Sequence, residues 1–201
     1  MKNELIETIK IENSQVFNIE WHNLRFNKSR KELFGVNESI NLQDYIKTPI
    51  ESGLFRCRIL YNKEILSIEY IPYQMKQLKT FKIVESDINY QYKHYNRMPI
   101  EKLKAEALPD DEIIIKKDGL LTDTSIANIA FYNGNSWITP KKPLLKGTMR
   151  AKLINNSKLT EKDIKEEELN GFSHFALMNA MIGFQIQKNI IIQSKKEKLC
   201  L

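Results

Sequence analysis

Cysteine is scarce in this 201-residue chain: only Cys57 and Cys200 occur, and they form no C-x-x-C pair. A structural zinc site of the usual Cys/His kind is therefore excluded, no metal is expected, and a disulfide framework is not expected. Long apolar runs are also missing. A membrane helix needs ~20 apolar residues, and the nearest approach, Phe175 to Phe184, is short and carries Asn179. The opening Met1-Lys2-Asn3-Glu4 has none of the basic, apolar and small-residue regions of an export signal, so the expected location is the cytoplasm. Glycine-rich phosphate loops, H-E-x-x-H and G-x-S-x-G are absent, which removes dinucleotide, P-loop, zincin and α/β-hydrolase readings. Charge is not one-sided: 31 Lys+Arg face 25 Asp+Glu, a net +6, with the two signs mixed along most of the chain. No nucleic-acid module matches, and the run Lys195-Lys196-Glu197-Lys198 reads as a solvated tail.

What the chain does have is periodicity. Residues 4 to 12 alternate around Ile9 and Ile11 as a strand, and Glu20 to Phe34 places Trp21, Leu24 and Phe34 at helical spacing, with Gly35 as the stop. Phe55, Cys57, Ile59 and Tyr61 alternate with Arg56 and Arg58; Leu66, Ile68 and Tyr70 repeat the period before Pro72, predicting neighbouring antiparallel strands. A strand near Phe81 to Val84 leads into the aromatic stretch Asp87 to Tyr92. Pro99 then suits a first helical turn, and IEKLKAEAL predicts a helix up to Pro109. Glu112 to Lys117, the Lys117-Asp118-Gly119 turn, Ile126 to Tyr132 and Asn133-Gly134-Asn135 before Trp137 read as a meander of hairpins. Gly147 and Thr148 stand before MRAKLI as a loop feeding a helix, and Phe175 to Leu177 and Gln185 to Ile192 are further strand candidates. The change of texture near residues 86 to 94 divides the chain into a small α+β lobe, 1–88, and a larger lobe, 94–201.

Four segments in order carry a resemblance: HNLR at His22 to Arg25, YKHYNR at Tyr92 to Arg97, LLTDTSIANIAF at Leu120 to Phe131 with Thr139-Pro140 and LLKGTMR at Leu144 to Arg150, and FALMNAM at Phe175 to Met181. Together they resemble the class IV aminotransferases, the fold-type IV family of pyridoxal-phosphate (PLP) enzymes. The resemblance implies an α+β fold of two small lobes with mostly antiparallel sheets. It also implies an N-terminally shortened chain, because a strand and a YGDG-like turn usually precede the segment matched here by Ile6-Glu7-Thr8.

By the same resemblance the cofactor is PLP and the partners are a small-molecule amino substrate and a second copy of the chain, as a homodimer. Lys93 matches the lysine that carries the cofactor and moves protons. Asp123 stands where most members have the glutamate that faces the pyridine nitrogen; read on its own, it is a turn residue between Thr122 and Thr124. Arg25 matches the phosphate arginine, with a helix-face ion pair as the plain alternative. The amides of Thr148 and Met149 match the phosphate cup, and Asn128 matches a backbone-satisfying position. Asn179 falls where the family places a polar side chain toward phosphate or substrate. Arg56 and Arg58 lie near the strand from which lyases of the family recognise a carboxylate, and otherwise read as a solvated strand face. MNAM and GTMR resemble the 4-amino-4-deoxychorismate lyases, so the expected reaction releases 4-aminobenzoate and pyruvate for folate synthesis. The alternatives are an aminotransferase for branched-chain or D-amino acids and a non-catalytic PLP-binding protein.

Overall fold

Period-2 alternation in three runs builds one antiparallel sheet. In the computed structural model, which describes residues 4–48, 52–75, 77–193 and 198–200, β1 (Leu5–Glu12), β2 (Gln15–Val16), β3 (Leu54–Tyr61) and β4 (Ile65–Pro72) lie in the order β2-β1-β3-β4. The register pairs Ile9 with Cys57 and Ile11 with Phe55, so these apolar side chains share one face, while Thr8 opposite Arg58 and Lys10 opposite Arg56 share the other. The face shared by the two arginines is thus opposite that of Phe55, Cys57 and Ile59, as the alternation predicts.

Helix α1 (Ile19–Phe34) covers the apolar face, but not with the stripe the spacing suggests. Its buried residues are His22, Phe26, Ser29 and Arg30, whereas Leu24 is 62% exposed. The polar members of this stripe can be buried because each is bonded. Arg30 donates from Nε to the Lys63 carbonyl and from Nη1 to the Glu38 carbonyl, both at 2.8 Å, and His22 meets a buried carboxylate. Phe26 packs against Tyr61 with ring centroids 4.4 Å apart. Gly35, at φ 71°, ends the helix: its N–H reaches the Lys31 carbonyl and the Val36 N–H that of Arg30, a left-handed cap that glycine adopts without strain.

The second unit is built on a longer mixed sheet. Its elements are β5 (Thr80–Glu85), α2 (Met98–Lys104), β6 (Glu112–Lys117), β7 (Leu120–Thr124), β8 (Asn128–Tyr132), β9 (Trp137–Pro140), α3 (Thr148–Asn155), β10 (Thr160–Lys162), β11 (His174–Asn179), β12 (Gly183–Gln187), β13 (Ile191–Gln193) and β14 (Lys198–Cys200). The strand order is β10-β9-β8-β7-β6-β5-β13-β14, with β11 pairing both β8 and β12. Pairing is parallel for β5 with β6 and β13 and for β9 with β10, and antiparallel elsewhere. Ile113, Ile114 and Ile115 in β6 are all fully buried, so this strand is covered on both faces and needs no alternation. On one side Phe81, Ile114, Phe131 and Phe175 form the main core, and on the other Val84, Ile113, Ile115 and Ile100 form a second.

Three sequence expectations change. The units are residues 1–75 with 92–96, and 76–91 with 97–201, rather than 1–88 and 94–201. The cause is pairing: β5 runs parallel to β6, while the Ile6 N–H bonds the Lys93 carbonyl and the Tyr95 N–H that of Glu4, both at 2.9 Å, binding 92–96 to β1. Helix α2 stops at Lys104 instead of running to Pro109, because the Glu106 and Ala107 amides bond the carbonyls three residues back, of Leu103 and Lys104, as turns, while the Lys104 ammonium reaches forward to the Asp111 carbonyl. The run Gln185 to Ile192 is two strands, broken at Asn189 with φ 54°; β12 pairs β11 and β13 pairs β5. Lys195 to Glu197 lie outside the described residues. Among the described residues no helix is long and apolar enough to cross a membrane, and no His/Cys/Asp/Glu group could hold a metal.

Candidate functional site

In the first unit the chemistry gathers on Glu7. It stands at a core-facing position of β1, between Leu5 and Ile9, and is fully buried. A carboxylate there must be neutralised and hydrogen-bonded. Arg25 supplies both, from Nε to Oε1 at 2.8 Å and from Nη2 to Oε2 at 2.6 Å, and His22 Nδ1 lies 2.6 Å from Oε2. Burial alone would raise the Glu7 pKa, but the Arg25 charge and the bonds from His22 and Arg25 outweigh it and hold the group at about 2. Burial lowers the pKa of His22 despite its carboxylate partner, so the ring is neutral at pH 7 and donates Nδ1–H to Glu7. Two carboxylate oxygens thus orient two side chains that α1 places three residues apart.

Lys93 belongs to the same unit. Its carbonyl is fixed by the Ile6 N–H, one residue before Glu7, and its ammonium is close enough to help lower the pKa of His22. Tyr92, beside it, donates to Glu32 Oε2 at 3.1 Å and tethers the segment to α1. Arg25 thus pairs from α1 onto β1, not along the helix face, through its Nε and Nη2 donors. Glu7 was not singled out from sequence. The signal was present: one acid on the core side of an otherwise apolar alternation.

In the second unit a different carboxylate is buried. Asp123 lies within β7, a strand position and not a turn, opposite Asn128 in the β7–β8 hairpin. Asn128 Nδ2 donates to Asp123 Oδ1 at 2.7 Å and to the Leu145 carbonyl at 2.8 Å, while the Leu145 N–H donates to Asp123 Oδ2 at 2.9 Å. Asn128 is thus the backbone-satisfying residue that its motif suggests. Burial raises the Asp123 pKa to about 6, opposed only partly by the Leu145 amide and Asn128. No cation among the described residues lies within ion-pair distance of it.

This ring of bonds sets the approach to α3. A Cβ on Gly147 would lie 2.0 Å from Asn128 Oδ1, so glycine is required by the Asn128 side chain rather than by a left-handed φ. Thr148 and Met149 then open α3, whose N-cap residue, Gly147, supplies no side-chain cap. Arg150 is structural: Nη2 binds the Pro140 carbonyl and Glu161 Oε1, each at 2.7 Å. Asn179 closes the β11–β12 turn. Its Oδ1 accepts from the Met181 and Ile182 amides and its Nδ2 donates to the Ile126 carbonyl, so it anchors the turn to the β7–β8 hairpin. Arg56 and Arg58 lie on the sheet face opposite Glu7 and are not part of its cluster.

The model of the family described as amino-transferase class IV matches residues 4–190. The chain is 40% identical to a Haemophilus influenzae protein of uncharacterised function over 184 residues, covering 89% of this chain and 98% of that one. A structure described as a "putative 4-amino-4-deoxychorismate lyase" from Haemophilus somnus is 38% identical, with a TM-score of 0.84, covering 91% of this chain and 98% of that one. The PLP-bound form of a hypothetical aminotransferase from Mycobacterium tuberculosis shares the fold, with a TM-score of 0.77 at 12% identity over 95% of this chain and 81% of that one. The chain therefore belongs to the class IV aminotransferases, a family of PLP enzymes that includes both aminotransferases and lyases.

Two outcomes follow from this geometry. Glu7, held below its ordinary 4.5 at about 2, contributes about 3 kcal/mol that is fully present above pH 4.5 and lost as pH falls through about 2. Neutral His22 adds a loss that begins as pH falls below 6.5. Urea unfolding at stepped pH should show both limbs in the wild type, and only the His22 limb in Glu7→Gln, on a lower plateau at pH 7; an unchanged acid limb would contradict the assignment. Gly147→Ala should lower stability by about 1 to 3 kcal/mol through overpacking, and Asn128→Ser in the same background should recover part of it. If Gly147→Ala is as stable as wild type, the Asn128 contact is not the constraint.

Proposed function

We propose that this chain is a PLP-dependent 4-amino-4-deoxychorismate lyase that releases 4-aminobenzoate and pyruvate. The observation that carries the reading is the 38% identity, over nearly all of both chains, to the Haemophilus somnus protein described above. A Schizosaccharomyces pombe protein named "putative aminodeoxychorismate lyase" adds support, at 31% identity over 110 residues, 52% of this chain and 45% of that one.

The donor set fits the cofactor. A buried carboxylate raised to about 6 and lacking an ion-pair partner among the described residues gains the counter-charge it needs from a protonated ring nitrogen, so Asp123 takes that role. By the family resemblance the phosphate falls to Arg25, which Glu7 orients in the first unit, and to Thr148 and Met149, which open α3 in the second. Lys93 would hold the cofactor covalently and would move the proton at the substrate carbon bearing the amino group. When bound, the cofactor withdraws electrons from that carbon. Asn128 keeps Asp123 fixed, and Asn179 keeps the adjoining turn fixed, so neither side chain needs to move during turnover. The proposal includes a homodimer, which sedimentation should report as twice the chain mass.

The test is PLP-loaded protein mixed with 4-amino-4-deoxychorismate and no keto acid. Pyruvate, read through lactate dehydrogenase, and 4-aminobenzoate, read by chromatography, should appear one for one. Lys93→Ala should slow their release by about 10²- to 10⁴-fold. If a branched-chain or D-amino acid instead gives up its amino group and the chorismate derivative is untouched, the enzyme is an aminotransferase. Inertness toward all of them with PLP bound would mean a non-catalytic protein.

A further inference from the structure

The chain carries two Asn-Gly pairs, Asn133-Gly134 and Asn170-Gly171, both in the second unit and both exposed. Such a pair can close on itself: the glycine nitrogen attacks the asparagine Cγ, and the missing Cβ leaves the approach open. Sequence and exposure do not separate the two pairs, but the backbone does. Asn170 and Gly171 end a 3-10 helix, Glu166–Gly171, and lie between Leu169 and Phe172, both buried in the main core; the Phe172 N–H bonds the Leu169 carbonyl across the pair. Ring closure there must wait until this helix opens.

Asn133 and Gly134 instead form the tip of the β8–β9 hairpin, with the glycine at φ 92°. The Gly134 N–H has no hydrogen-bond partner among the described residues, so its nitrogen gives up no bond when it attacks. Asn133 Oδ1 accepts from the Asn135 N–H at 3.0 Å and from the Ser136 N–H at 2.8 Å. These two donors stand where negative charge collects as the carboxamide carbon is attacked.

We propose that Asn133 is a site of self-modification, converted in the folded chain to aspartate or isoaspartate while Asn170 is spared. Hydroxide takes the Gly134 amide proton, the nitrogen bonds to Asn133 Cγ, and the Cγ–Nδ2 bond breaks to release ammonia, which draws its proton from water. Water then opens the cyclic imide at either carbonyl. One opening leaves aspartate, whose carboxylate still accepts from Asn135 and Ser136. The other routes the main chain through the side-chain carbon, and the added methylene disturbs the register that sets Tyr132 opposite Trp137, their ring centroids 5.4 Å apart.

The test holds the full chain at mildly alkaline pH, follows the peptides spanning each pair by mass spectrometry, and reads isoaspartate by methyltransferase labelling. In the folded protein Asn133 should convert at least ~10-fold faster than Asn170, because only Asn170 must await local opening. In concentrated urea, where the sequence alone is left, the two should convert at similar rates. Asn133→Ser should abolish conversion in the hairpin and leave Asn170 as slow as before. No conversion at Asn133, an Asn170 as fast or faster in the folded protein, or a preference for Asn133 that survives urea would each overturn the proposal.

Discussion

One carboxylate organises the first unit. Glu7 sits where the alternation of β1 calls for an aliphatic side chain, and it is tolerable there only because Arg25 and His22 reach it from α1. Removing either partner would leave a buried charge or an unmatched donor, so the register of β1, the rotation of α1 about its axis and the orientation of Arg25 are all fixed together. The same constraint explains the unusual face of the helix. His22 and Arg30 turn inward with Phe26, and Leu24 turns outward, because the ion pair and the carbonyls of Glu38 and Lys63 set the rotation that hydrophobicity alone would not.

The two buried carboxylates are handled in opposite ways. Glu7 has a guanidinium and is held at about 2; Asp123 has an amide, a carboxamide and no ion-pair partner among the described residues, and is raised to about 6. The first is a finished interaction whose work is orientation. The second has an electrostatic deficit that a cationic ring would relieve, as the proposed function requires of it. Asp123 is a methylene shorter than the glutamate of most members, and here the shorter side chain is met by Leu145 and Asn128 with both oxygens engaged.

Much of the fold was legible from local pattern. The alternation of β1 and β3, the Gly35 stop and the run of three isoleucines in β6 follow from period, cap and burial, and the observed elements agree with them. What could not be read locally was pairing at a distance. Nothing within Phe81 to Val84 says that it joins β6 and β13, and nothing within YKHYNR says that its backbone returns to β1. The motifs singled out Lys93, Arg25 and Asp123 as candidates, but not what each touches. Glu7 was missed because an acid in a strand reads as solvent-facing until its neighbours on both sides are seen to be core.

The claim at the centre is that Glu7 is ionised, buried and clamped by Arg25 and His22. Carbon-13 NMR of protein labelled at the glutamate carboxyl carbons, with the Glu7 signal assigned by its loss in Glu7→Gln, reads that state directly. The account predicts a resonance that stays at the ionised position as the pH is lowered past the other glutamates and titrates at about 2. A midpoint in the ordinary glutamate range near ~4.3, or above it, would contradict the account.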